Sequence, residues 1–172
     1  MTRYQLAKLI SWAGTLHSRK KMQKVVFMLQ AAGCPFDADY YLHHYGPYSE
    51  DVAHLTDEMV RKELLAEEEE SAPSGTQYSY RLQESTKKEM LELEKTMEGK
   101  RLAKLLAPFE DKAKELLNTD FWLLEVASTI AFFRQQGNTW AISVEKAGQF
   151  KSLTANSAFL SKAEGLAQKY VA

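Results

Sequence analysis

Apolar spacing alternates between a period near 3.6 and a period of 2 in a fixed order along residues 4–82, and that order constrains the fold most strongly. Leu6, Leu9, Ile10, Ala13 and Leu16 follow helical spacing, with Gly14 or His17-Ser18 able to end the helix. A second helix is expected from about Arg19 to Ala32, stopped by Gly33 and Pro35. Tyr40–Tyr45 reads as a short aromatic strand broken by Gly46-Pro47. Ser49 is a good N-cap with Glu50 and Asp51 in the first turn, and Val52, Leu55, Met59 and Leu64 carry a third helix to about Leu65. A hairpin follows: an acidic arm from Leu65 to Ser71, a turn through Ala72-Pro73-Ser74-Gly75, and Gln77–Leu82, where Tyr78, Tyr80 and Leu82 alternate as in a half-buried strand. The order helix, helix, short strand, helix, hairpin is close to a winged helix-turn-helix. The expected fold is mostly α (α+β), with a winged-helix-like domain and its β-hairpin wing over residues 1–84 and a helical region over 85–172 packed on it.

The second half supports that division. Thr86-x-x-Glu89 fits a capping box, and Gly99 and Pro108 divide residues 86–118 into helical segments. Thr119 or Asp120 caps an apolar helix over 121–136, and two further helices are expected near 140–151 and 155–170. Phe121, Trp122, Ile130, Phe132 and Phe133 offer more apolar surface than one helix face covers, which calls for packing on the first domain or for a homodimer.

Charge is segregated. Residues 1–36 carry six basic groups, Arg3, Lys8, Arg19, Lys20, Lys21 and Lys24, and no carboxylate. Residues 37–70 carry eleven acids against Arg61 and Lys62, so the overall net charge of −1 hides a dipolar chain. Positive charge at the start of the second helix opposes the helix dipole, so something beyond helix stability keeps it basic, unless it is simply a solvated face. The helix in the recognition position, 49–65, has a net charge of −3, and Glu67–Glu70 add four more negative charges on the wing. Phosphates would repel both, which favours a cationic protein partner over a DNA groove. The basic helix then serves as a second contact or as an intramolecular counterface.

Catalytic chemistry has no recognisable constellation. No Gly-x-Ser-x-Gly elbow, P-loop or dinucleotide fingerprint is present, and the Cys and His spacings match no zinc motif, so no catalytic residue, metal or cofactor is expected. His43 and His44, adjacent in a strand, point to opposite faces; one is expected packed and hydrogen-bonded, the other exposed. Cys34 reads as a small buried residue. A single cysteine, with no signal-peptide pattern at the N-terminus, fits the cytoplasm. The most apolar window, 121–133, is too short for a membrane span of about 20 residues. Glu125 lies inside that window and must be neutral or paired if buried, through a hydrogen bond or ion pair to the N-terminal domain.

Two stretches also carry a family resemblance. Arg19-Lys20-Lys21-Met22-Gln23-Lys24-Val25-Val26-Phe27-Met28-Leu29-Gln30 and Tyr41-Leu42-His43-His44-Tyr45-Gly46-Pro47-Tyr48-Ser49-Glu50 look like the YwgA-like proteins of bacteria and phages. The similarity extends through Tyr78, Tyr80 and Leu82 to Leu124–Ile130. More distantly, the Lys-x-Gln-Lys helix followed by Tyr-Gly-Pro resembles the phage-associated antitoxin group called Panacea. The resemblance implies a winged-helix-like N-terminal domain, a helical C-terminal portion and no catalytic residues to carry over. Its remote branch implies toxin neutralisation or a proteolytic-adaptor role. Three readings follow. The first is a non-catalytic recognition module acting through a protein partner, with Arg19, Lys20, Lys21, Lys24, His43, Tyr45 and Tyr48 as its candidate surface beside the wing. The second is a DNA-binding transcriptional regulator using residues 19–24 with Gln77 and Arg81 of the wing. The third is an enzyme of unrecognised type.

Overall fold

A computed structural model describes residues 1–73, 75–154 and 157–171. The chain begins with α1 (Arg3–Ala13), whose N-cap Thr2 forms a complete capping box with Gln5. Gly14, at φ 68°, turns the chain into a two-residue strand, β1 (Leu16–His17). α2 (Arg19–Ala31) follows, then an antiparallel hairpin of β2 (Tyr41–His43) and β3 (Gly46–Tyr48). α3 (Glu50–Arg61) starts at Ser49, whose hydroxyl accepts from the Val52 N–H as expected. The long hairpin is β4 (Leu65–Ala72) with β5 (Gly75–Leu82), and β1 adds to it, giving the strand order β1-β5-β4. The class is α+β.

Three local outcomes differ from the sequence-based expectation. The aromatic segment forms two strands, not one, and its reversal lies at His44-Tyr45 while Gly46-Pro47 belongs to β3. Gly46 has a φ of 90°, and a Cβ there would sit 2.9 Å from Thr129 Oγ1, so close approach of a neighbouring helix fixes the glycine. Leu16, counted in the helical stripe of the first helix, lies instead in β1 with His17, because α1 ends at Ala13. Their pairing with Tyr80 and Ser79 is what defines the strand. Ser74, in the expected hairpin turn, lies outside the described residues.

Residues 84–118 form α4 (Glu84–Lys95), α5 (Met97–Leu106), a 3₁₀ turn at Ala107–Phe109, and α6 (Glu110–Asn118). The break falls at Thr96, which caps α5, while Gly99 packs so tightly that an added Cβ would lie 1.9 Å from the Leu93 carbonyl oxygen. Thr86 makes no capping box; its hydroxyl donates to the Leu64 carbonyl at 2.9 Å and ties α4 to the foot of β4. α7 (Phe121–Gln135), capped by Asp120, is buried on nearly every side, and α8 (Trp140–Phe150) and α9 (Ala158–Gln168) cover it. α7 also packs on α2 and β3, and α6 packs on α1 and α2. The apolar surface of α7 is thus used within the chain: Ile130 and Phe132 are buried, and Trp122 stacks on Phe159 at 6.2 Å. One core runs through Leu6, Ile10, Val26, Leu29, Leu124 and Ile130. Among the described residues no helix is long and apolar enough to cross a membrane.

Candidate functional site

The start of α2, the β2–β3 hairpin and the first turns of α3 enclose a half-open pocket of about 180 Å³. Met22, Val52, Ala53 and Thr56 give it apolar walls, with His43, Tyr45 and Tyr48 from the hairpin and Arg19, Lys20 and Lys24 from α2. Six of the nine residues singled out as a recognition surface therefore share one concavity. Helical spacing explains half of this, since 19, 20, 23 and 24 lie within a turn and a half of α2. The hairpin explains the rest, because it folds the aromatic residues back over that turn.

The rim is aromatic and layered. His43 sits 5.4 Å from Tyr48 and 6.4 Å from Tyr45, ring centre to ring centre, and Tyr41 meets Tyr48 edge-on at 5.7 Å. Tyr45 is 44% exposed, and the exposed Lys20 ammonium lies 3.5 Å above its ring. Tyr45 thus presents its ring outward. Neither histidine is packed, although one of them was expected to be: both are exposed, and the His44 carbonyl is the group that bonds, accepting from Lys151 at 3.2 Å.

Lys24 corrects a second expectation. It is 1% exposed, so it cannot form part of an open basic surface. Its ammonium donates to the Pro47 carbonyl at 2.9 Å, and burial pulls its pKa down to about 8, with nearby Glu125 working the other way and Lys151 and Lys20 adding to the depression. Glu125 is buried as required, but its direct partner is Lys151 at the end of α8, at 2.5 Å, not a residue of 1–84. Both side chains of that pair are about 95% buried, at 4% and 5% exposure. Lys24 is thus bonded to a carbonyl and feels the Glu125–Lys151 pair only through space, and Gln23 holds Ser49 through both ends of its side-chain amide.

The remaining basic residues are not a solvated face. Arg19 bonds Asp57 and Glu67 at 2.7 Å each and also the Tyr80 hydroxyl; burial would lower its pKa, but the bonds to Glu67, Tyr80 and Asp57 raise it further. Lys21 donates to the Thr119 carbonyl at 2.9 Å, and burial lowers its pKa against the pull of Asp120. The β4–β5 hairpin accounts for its own charge in the same way. Glu68 pairs with Arg81, and Glu70 accepts from Gln77 and meets His17, each at 2.7 Å. Gln77 and Arg81 thus lie on β5 and outside the lining of the pocket. The acidic β4 strand and its basic counterparts largely close on each other, Arg19 of α2 among them.

Cys34 is buried, and burial pushes its thiol up to about 12, so it is no nucleophile at neutral pH. Among the described residues no group of three or more His, Cys, Asp or Glu is placed to hold a metal ion.

No family model matches the chain. It is 35% identical over 81 residues to the uncharacterized protein YwgA of Bacillus subtilis strain 168, a stretch that makes up 47% of this chain and 49% of that protein. The chain thus spans about half the length of the curated relative it matches.

Proposed function

We propose that the protein is a cytoplasmic, non-catalytic, winged-helix-like recognition module that binds a protein partner through the face formed by α2, the β2–β3 hairpin and the start of α3. The observation that carries this reading is the pocket itself: an apolar cleft with an exposed aromatic rim and a lysine poised above Tyr45. Exposed tyrosine beside an apolar cleft is the composition of a protein-binding hot spot. The winged-helix assignment draws support from the element order α1-β1-α2-β2-β3-α3-β4-β5 and the strand order β1-β5-β4. The remote resemblance to the Panacea antitoxin group points the same way, because neutralising a toxin is a protein–protein contact.

DNA binding through the wing has weaker support. Arg19 and Arg81 already hold wing carboxylates, and Gln77 holds Glu70, so these groups would have to exchange internal partners for phosphates or bases. The test is capture of partners by the tagged protein from its native cell after nuclease treatment. Capture is expected to survive nuclease and to be lost in Tyr45→Ala, which leaves the core untouched. A salt-sensitive mobility shift on DNA, abolished by Arg81→Glu, with no Tyr45-dependent capture, would contradict the reading.

A further inference from the structure

The pocket carries an imbalance that specifies more than a generic apolar contact. Among the described residues no carboxylate lines it, whereas Arg19, Lys20 and Lys24 do. Arg19 is satisfied by Asp57 and Glu67. Lys20 has a tyrosine ring as its partner, and Lys24 a neutral carbonyl. The carboxylate nearest to Lys24 in the buried cluster, Glu125, is bonded to Lys151. The exposed Lys20 ammonium over the Tyr45 ring is thus a cation at the mouth of a pocket with no carboxylate in its lining, and an arriving anion would complement it.

Size fixes the rest. A space of roughly 150 Å³ holds a benzene-sized group, and this one is about 180 Å³. It accepts one aromatic or branched side chain. An internal acidic residue of a partner would not suit both demands, because neighbouring side chains of an extended segment point to opposite faces. A chain end does suit them: the last residue bears its side chain and its carboxylate on one Cα, and nothing need continue past the pocket. Outside the pocket, exposed Tyr41 and Tyr45 along the hairpin give the preceding residues a surface to lie on.

Resting on the recognition reading above, we infer that the pocket receives the free carboxyl-terminal residue of a partner chain, an apolar side chain among Met22, Tyr45, Tyr48 and Val52 and its carboxylate toward the exposed Lys20. Capture of a terminal carboxylate is an established recognition mode, and charge-assisted bonds make it selective.

The experiment is an NMR titration of the full chain with three probes: acetyl-Ala-Ala-Ala-Phe as the free acid, the same peptide amidated, and hydrocinnamate. The free acid is expected to bind about tenfold or more tighter than the amide, which is the discrimination one charge-assisted bond supplies. Its shifts should concentrate on Met22, Tyr45, Tyr48 and Thr56, and hydrocinnamate should bind more weakly than the peptide acid. Lys20→Gln, an exposed position that leaves the fold intact, should shrink the acid-over-amide preference. Equal affinity for acid and amide, no binding, or a preference unchanged in Lys20→Gln would overturn the inference. Hydrocinnamate binding as tightly as the peptide acid would overturn it too, by making the site one for small carboxylates. Partner capture that depends on Tyr45 alongside equal acid and amide affinities would sink this inference and leave the recognition surface standing. An acid preference without any Tyr45-dependent partner would keep the chain-end site and remove the broader reading of the face.

Discussion

Gly46 shows how one residue joins the halves of the molecule. Its φ of 90° and the 2.9 Å approach of Thr129 Oγ1 to the Cβ position leave no room for a side chain. Gly46→Ala is expected to destabilise the protein by roughly 2–3 kcal/mol in a denaturant titration, from left-handed backbone strain plus the clash. Adding Thr129→Ala should recover the steric share and leave about 1 kcal/mol; no recovery would place the strain elsewhere. Lys24 supplies a residue-scale pH signature. Its pKa falls to about 8 in the folded chain from an ordinary 10.5, because of burial opposed by Glu125 of α7 and reinforced by Lys151 and Lys20. The folded state then binds fewer protons than the unfolded state between those two values, so stability from this group rises with pH across about 8 to 10.5. Relative to Lys24→Met, the wild type should gain up to about 3 kcal/mol over that range. A difference that is flat with pH would show Lys24 to be solvated.

At the level of elements, the β4–β5 hairpin pairs its acids with the groups that the DNA-binding reading would need. Glu67 holds Arg19, Glu68 holds Arg81, and Glu70 holds Gln77 and His17. Burial raises the Glu67 pKa while its bonds to Tyr80 and Arg19 lower it, with a net depression. Its share of stability is therefore present above the ordinary carboxylate range and lost as pH falls through it. Changing Glu67, Glu68 and Glu70 together to Gln should release those cations, and a salt-sensitive affinity for duplex DNA should appear in a mobility-shift assay where the wild type shows none. No gain would mean that the internal pairs are not what restrains those groups. The element order was legible because each helix carried its own stop or cap: Ser49 before α3, Gly33 after α2, Asp120 before α7. What was not legible depended on partners distant in sequence. The strand at Leu16-His17 exists through Tyr80 and Ser79, and the split of the aromatic segment into two strands depends on α7 lying against Gly46. Of the site, residue types and clustering on α2 could be read directly. The burial of Lys24 and the choice of Lys151 as the partner of Glu125 could not, because α7 and α8 are supplied by residues a hundred positions away.

Across the whole molecule, a single core threads residues 1–84 and 85–171, with α7 set against α2 and β3. Unfolding should therefore follow one transition, coincident by far-ultraviolet circular dichroism and by tryptophan fluorescence, and a fragment of residues 1–84 should expose the α2 face and bind a hydrophobic dye. Two separated transitions would mean that the halves are independent. That same packing holds the β2–β3 hairpin rigid over α2, with Lys24, Lys151 and the His44 and Pro47 carbonyls as its ties. Rigid presentation of Tyr45 and Lys20 is what the recognition reading requires. The most direct measurement places a photo-crosslinking amino acid at position 45, and separately at position 69 on β4, in the native cell. The account predicts a discrete protein adduct from position 45 and none from position 69. Nucleic-acid adducts from position 69, with nothing from position 45, would contradict it.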